Sequence, residues 1–144
     1  MEAAIADVIR VLGVTPSAGR SPDPLRFARQ LQNGLPIGAL LRLAEALAPG
    51  DMQTLYAFVP KATLARRQKT KRLSAEESAK LARVAGVYTV ARDVWGSDEE
   101  ARDFLQRRHP LLDDDTPLAV ALGSDVGARL VERILGRLSH GTAA

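Results

Sequence analysis

The 144-residue chain has no cysteine and only two histidines, and its aromatics are three phenylalanines, two tyrosines and one tryptophan. Without a thiol there is no disulfide, no thiolate nucleophile and no zinc–thiolate site. There is no glycine-rich phosphate loop either, so no catalytic constellation is visible. The expectation is a protein that is not an enzyme and needs no cofactor. A long apolar run is also missing. The stretch "MEAAIADVIRVLG" (1–13) carries Glu2 and Asp7 and has the features of neither a signal peptide nor a membrane span. A reducing cytoplasm, with no membrane contact, is the compartment expected.

Nearly half of the chain, 46%, is hydrophobic, enough for a packed core without staples in one domain or two small lobes. The net charge of +3 is unevenly spread. Residues 1–60 hold five basic and five acidic side chains, residues 61–92 nine and two, and residues 93–144 six and ten. The middle therefore attracts anions. Its segment "KATLARRQKTKR" (61–72) has six cations and no anion, where a solvated helix face would normally mix signs.

Helix signals recur along the chain and strand signals are almost absent, which predicts an all-α fold. Asp23-Pro24 and Thr116-Pro117 each place a capping side chain before proline at the first helical position. Ser74…Glu77 and Ser97…Glu100 have the spacing of capping boxes. Helices are predicted over 2–12, 24–33, 36–48, 51–58, 61–69, 74–95, 97–107, 117–122 and 124–139. The Pro/Gly/Ser stretch 13–24 reads as a loop. In the longest helix Leu81, Val84, Tyr88, Ala91 and Trp95 form one apolar stripe, expected to be core and to tie the two halves together. In the first helix Ala4, Ile5, Val8, Val11 and Leu12 offer an apolar face that self-association would use.

The run "GDMQTLYAFVPKATLARRQK" (50–69) divides into a short helix, a turn at Val59-Pro60 and a second helix whose Leu64 faces inward. Lys61, Thr63, Arg66, Arg67 and Lys69 are then left outside, with Arg66 and Arg67 exposed. This is the pattern of a helix-turn-helix recognition helix, where arginines can fork onto guanine and flanking cations hold phosphates. A membrane-surface role fits less well, because bulky apolar residues opposite the cations are missing. Asp113, Asp114 and Asp115 with His109 nearby could ligate a hard cation. Consecutive carboxylates before a capped helix are more simply explained as solvated charges at a helix N-terminus, and no metal is expected.

The last helix, "SDVGARLVERILGRLSHG" (124–141), predicts a buried stripe of Val126, Leu130, Ile134 and Leu138. Arg129, Glu132, Arg133, Gly136, Arg137 and His140 form the other face. Cations near a helix C-terminus suit the helix dipole, and Gly141 is a natural residue for the turn beyond. Arg129 lies too early for that benefit, and Gly136 costs about 1 kcal/mol inside a helix relative to alanine. A partner approaching this face closely would account for both.

From Gly34 onward the pieces "GLP" (34–36), "TLARR" (63–67), "RLSAEES" (72–78), "LARV" (81–84), "VWG" (94–96), "TPLAVA" (116–121) and "GRLSHG" (136–141) occur in order over about 110 residues. Together they resemble the Xre/MbcA/ParS antitoxins, partners of RES-domain toxins; Trp95 stands where that family commonly has phenylalanine. The resemblance implies a two-part all-α protein. Residues 1–72 would form an Xre-like helix-turn-helix and dimerisation region that binds operator DNA as a homodimer or higher oligomer. Residues 73–144 would form a helical toxin-binding domain. RES toxins resemble ADP-ribosyltransferases that consume NAD, and the resemblance implies an antitoxin that blocks the toxin's site with its C-terminal end. Arg137, Ser139, His140 and Gly141 would lie in the blocking end, with Arg129, Arg133 and Gly136 behind them. The rival reading is a stand-alone helix-turn-helix regulator whose C-terminal half serves oligomerisation alone.

Overall fold

Five of the α-helices begin where an Asp, Ser or Thr side chain accepts from an otherwise unpaired backbone N–H group. In the computed structural model, which describes residues 3–14 and 23–141, Asp23 accepts from the Leu25 amide at 3.0 Å and Thr116 from that of Ala119 at 3.1 Å. Ser74 and Glu77 close a full capping box. At Ser97 only the hydroxyl half forms, to the Glu100 amide. Asp98, one residue on, instead accepts from the Tyr88 hydroxyl at 2.6 Å and from Arg92 Nε at 2.7 Å.

The described residues form nine α-helices: α1 (Ile5–Leu12), α2 (Pro24–Asn33), α3 (Ile37–Leu47), α4 (Gln53–Phe58), α5 (Lys61–Thr70), α6 (Ala75–Trp95), α7 (Asp98–Gln106), α8 (Pro117–Gly123) and α9 (Asp125–Ser139). A short 3-10 helix, Pro110–Leu112, lies between α7 and α8. Among these residues extended pairing is limited to isolated bridges. The fold is all-α, as the periodicity predicts. Most of the loop 13–24 and the predicted helical residue 2 lie outside the described residues, as do residues 142–144 of the C-terminal segment.

α6 is the axis of the molecule. It packs against α1, α2, α3 and α4 from one half and α7, α8 and α9 from the other. Enclosed in this way, it buries every residue from Val84 to Ala91, well beyond the single predicted stripe. Tyr88 is core, whereas Trp95 at the C-terminal end of the helix is 39% exposed.

Two predicted faces differ from the structure. The apolar side of α1 is not free for self-association: Val8, Ile9 and Leu12 are buried in the chain's own core, where α1 meets α3 and α6. In α9 the buried residues are Gly127, Ala128, Val131, Ile134 and Leu135. Val126 and Leu130 are turned outward, 70% and 37% exposed, and Leu138 is half-buried. The reason is close packing against α8. A side chain at Gly127 would collide with the Val120 carbonyl, so the helix presents its smallest residues to its nearest neighbour and its larger ones elsewhere.

A clip joins the segment before α3 to the segment after α5. Leu73 N donates to Leu35 O at 2.8 Å, Ile37 N to Lys71 O at 3.1 Å, and Arg72 Nη1 to Gly34 O at 2.8 Å. Gly34, at φ +88°, lies so close to the Leu73 carbonyl that any side chain there would strike it. Ser78, fully buried on α6, accepts from the Leu35 amide at 2.8 Å and donates to the Ser74 carbonyl at 2.7 Å. The clip holds the chain leaving α5 beside the start of α3, and Ser78 ties that start to the first turn of α6.

Candidate nucleic-acid and partner interfaces

α4 and α5 are joined at Val59 and Pro60, with Val59 extended and Pro60 capping α5. Phe58, Val59 and Leu64 are buried, so the two short helices share one small apolar contact with the core. On the opposite side Lys61, Arg66 and Lys69 are exposed, with exposed Ala62 and Ala65 between them. Arg66 Nη2 lies 3.5 Å from the Thr63 hydroxyl, which is half-buried on the flank of the helix. Alanines between cations leave the backbone of this face open to close approach.

Arg67 corrects the expectation that both arginines are exposed. Its Nε donates to Glu77 Oε1 at 2.8 Å, with the two side chains only 27% and 16% exposed. The same carboxylate oxygen accepts from the Ser74 amide at 2.8 Å. Burial pushes the Glu77 pKa up, but the backbone hydrogen bond from Ser74 and the Arg67 guanidinium together outweigh it, so the net shift is downward. Helical geometry explains the error: Arg67 lies three residues from inward-facing Leu64 and therefore on the core side of α5.

A folded-state pKa below the unfolded one gives stability that is present above the ordinary value of 4.5 and lost as pH falls through the lower folded value. Glu77→Gln is therefore expected to melt roughly 3 °C lower at neutral pH, the shift that ~1 kcal/mol produces in a chain of this size. The gap from wild type should close on acidification. A gap constant from neutral pH down to acid, measured by thermal melts, would refute this role for the carboxylate.

At the other end of the molecule, Arg83 on α6 donates from Nε to the Ala121 carbonyl at 2.9 Å and from Nη2 to that of Leu122 at 2.6 Å. Those carbonyls end α8, and Arg83 Nη1 lies 3.7 Å from Asp125 at the start of α9. The corner between α8 and α9 is thereby fixed from α6. Arg129, Arg133, Arg137 and His140 are exposed on the outer side of α9, Ser139 is exposed, and Gly136 is half-buried. None of the three arginines is ion-paired among the described residues. Gly141 follows the helix at φ +72°, the left-handed turn its position predicts. Beside this helix end, Trp95 and Phe104 lie 6.0 Å apart in a cavity of about 340 Å³ that Leu138 also lines.

The DNA-facing candidates and the partner-facing candidates thus lie on separate elements, α5 and α9, joined through α6. The Tyr88–Asp98–Arg92 cluster was not foreseen. Burial and the Asp98 carboxylate push the Tyr88 pKa up to about 12, and the tyrosine's hydrogen bond in turn lowers that of Asp98. It ties α6 to α7 and is structural. His109 Nδ1 accepts from the Leu111 amide at 3.2 Å, capping the short 3-10 helix. Asp113 and Asp114 are exposed in left-handed turn conformations, and among the described residues no group of three or more histidines and carboxylates is placed to hold a metal.

Among the described residues no helix is long and apolar enough to cross a membrane. No curated protein matches the chain. Two family models do. The one described as the antitoxin Xre-like helix-turn-helix domain matches residues 26–86, from α2 into the middle of α6. The one described as the antitoxin Xre/MbcA/ParS C-terminal toxin-binding domain matches residues 90–141, from the end of α6 through α9. The first range contains the α4–turn–α5 unit with its clip, and the second contains the outward face of α9. The chain belongs to the Xre/MbcA/ParS antitoxin family.

Proposed function

We propose that this antitoxin neutralises a RES-type toxin by laying the outer face of α9 and the segment 136–144 over the toxin's NAD site. On this reading residues 73–144 bind the toxin, through Arg129, Arg133, Gly136, Arg137, Ser139, His140 and Gly141. Residues 1–72 bind the operon's own promoter, through Lys61, Thr63, Arg66 and Lys69, with Arg67 holding α5 in place. The observation that carries the reading is the set of three exposed arginines on α9, none ion-paired among the described residues, inside the stretch matched to the toxin-binding domain. An arginine-bearing helix end laid over such a site pairs with a carboxylate of the toxin beside it and excludes the dinucleotide by its bulk. The protein acts by occlusion and contributes no chemistry of its own. Its place is the cytoplasm, where operator DNA and NAD are both present.

A two-fold operator needs two copies of α5 about one helical turn of DNA apart, so the working form is a homodimer or larger. The contact between copies uses a surface other than the apolar side of α1. The test is co-expression with the product of the adjacent gene, followed by an NAD-consumption assay of that product alone and in complex. A stable complex with suppressed NAD loss is expected. If the adjacent product never binds, and this chain still shifts its promoter DNA, a stand-alone regulator is the correct reading.

A further inference from the structure

Val126 and Leu130, four residues apart, stack along one ridge of α9. Arg133 and Arg137 continue the same ridge at positions seven and eleven from Val126. The ridge is therefore apolar over its first two turns and cationic over its last two. No carboxylate interrupts it: Asp125 is turned to Arg83, and Glu132 Oε1 lies over Gly86 of α6. A single exposed apolar residue needs no explanation. Two on one ridge are different, because an exposed, β-branched valine weakens a helix and gains nothing from burial within this chain. Both lie within the stretch matched to the toxin-binding domain.

We propose that Val126 and Leu130 are the apolar anchors of the toxin interface, seated in a shallow apolar depression whose far rim carries carboxylates facing Arg133 and Arg137. The inference rests on the reading of the C-terminal half as the part that grips the toxin. It adds the surface chemistry the toxin must present. Seven residues of helix separate Leu130 from Arg137, so the depression and the furthest carboxylate lie about 10 Å apart. Anchors that lose their water on binding add affinity of their own beside that of Arg137, while rim-exposed Arg133 sets approach and register along the ridge.

The test uses the full chain with Val126→Ser and Leu130→Ser combined, titrated calorimetrically against the purified adjacent-gene product. Leu41→Ser is the control, because Leu41 on α3 is 44% exposed and lies outside the matched toxin-binding range. The double variant is expected to bind roughly tenfold more weakly or worse, with an unchanged thermal melt, and the control to bind like wild type. Wild-type affinity in the double variant, alongside weakened binding by Arg137→Ala, would overturn the anchors and leave the arm standing. Loss of self-association by light scattering with toxin affinity intact would also overturn the proposal, assigning the ridge to contact between copies. No binding by the wild-type chain would overturn the toxin reading itself, and the anchors with it.

Discussion

Ending the chain at Leu135 is expected to abolish protection from the toxin, and Arg137→Ala in the full chain to remove most of it. Arg137 is exposed and unpaired among the described residues, so its loss costs the fold almost nothing. At an interface it offers a planar, permanently charged fork that can pair bidentately with a carboxylate of the toxin. If it is desolvated there, truncation costs ~2 kcal/mol, roughly 30-fold in Kd. Arg129→Ala should show little of this, since a rim cation affects encounter rate more than residence. The truncation also removes half-buried Leu138 from its place beside Trp95 and Phe104 and lowers the melting temperature somewhat, which makes Arg137→Ala the cleaner experiment. Full neutralisation by the shortened chain would show that the last turns only finish a helix.

The second large effect is expected on DNA. Replacing Lys61, Arg66 and Lys69 together with alanine removes the three exposed cations of α5 without touching its buried contact, Leu64. Each phosphate contact contributes about 0.9 to the slope of log affinity against log salt, so the slope for the operon's upstream DNA should flatten by roughly 2.7. The fold and toxin binding should be unaffected. Arg67→Ala should behave in the opposite way, lowering the melting temperature because it orphans Glu77. An unchanged salt slope in the triple variant, measured by fluorescence anisotropy, would remove α5 from the DNA interface.

The helices themselves were largely legible, because their caps are local chemistry: an Asp, Ser or Thr beside a backbone amide needs no tertiary context to be recognised. The turn at Val59-Pro60 was legible for the same reason. Facing was harder. On α9 the largest apolar residues suggested one phase of the helix, while packing against α8 demanded the smallest, Gly127 and Ala128, and turned Val126 and Leu130 into solvent. Arg67 was misjudged because charge was read as exposure, although its carboxylate partner stands ten residues away in a motif recognised only as a cap. The separation of the DNA and partner candidates onto α5 and α9 followed from the sequence, but the path between them did not. It depends on α6 being enclosed on all sides from Val84 to Ala91, which no stripe count indicates.

The bond from Arg67 to Glu77 has a consequence for how such a protein can change over time. Because one carboxylate holds both the start of α6 and the flank of α5, the tilt of the candidate reading helix is set by a half-buried ion pair and not by what it reads. Lys61, Ala62, Ala65, Arg66 and Lys69 are then interchangeable type, free to drift or be redesigned for another operator. Leu64, Arg67, Glu77 and Gly34 are the frame that holds the type, where a substitution would first be felt as lost stability.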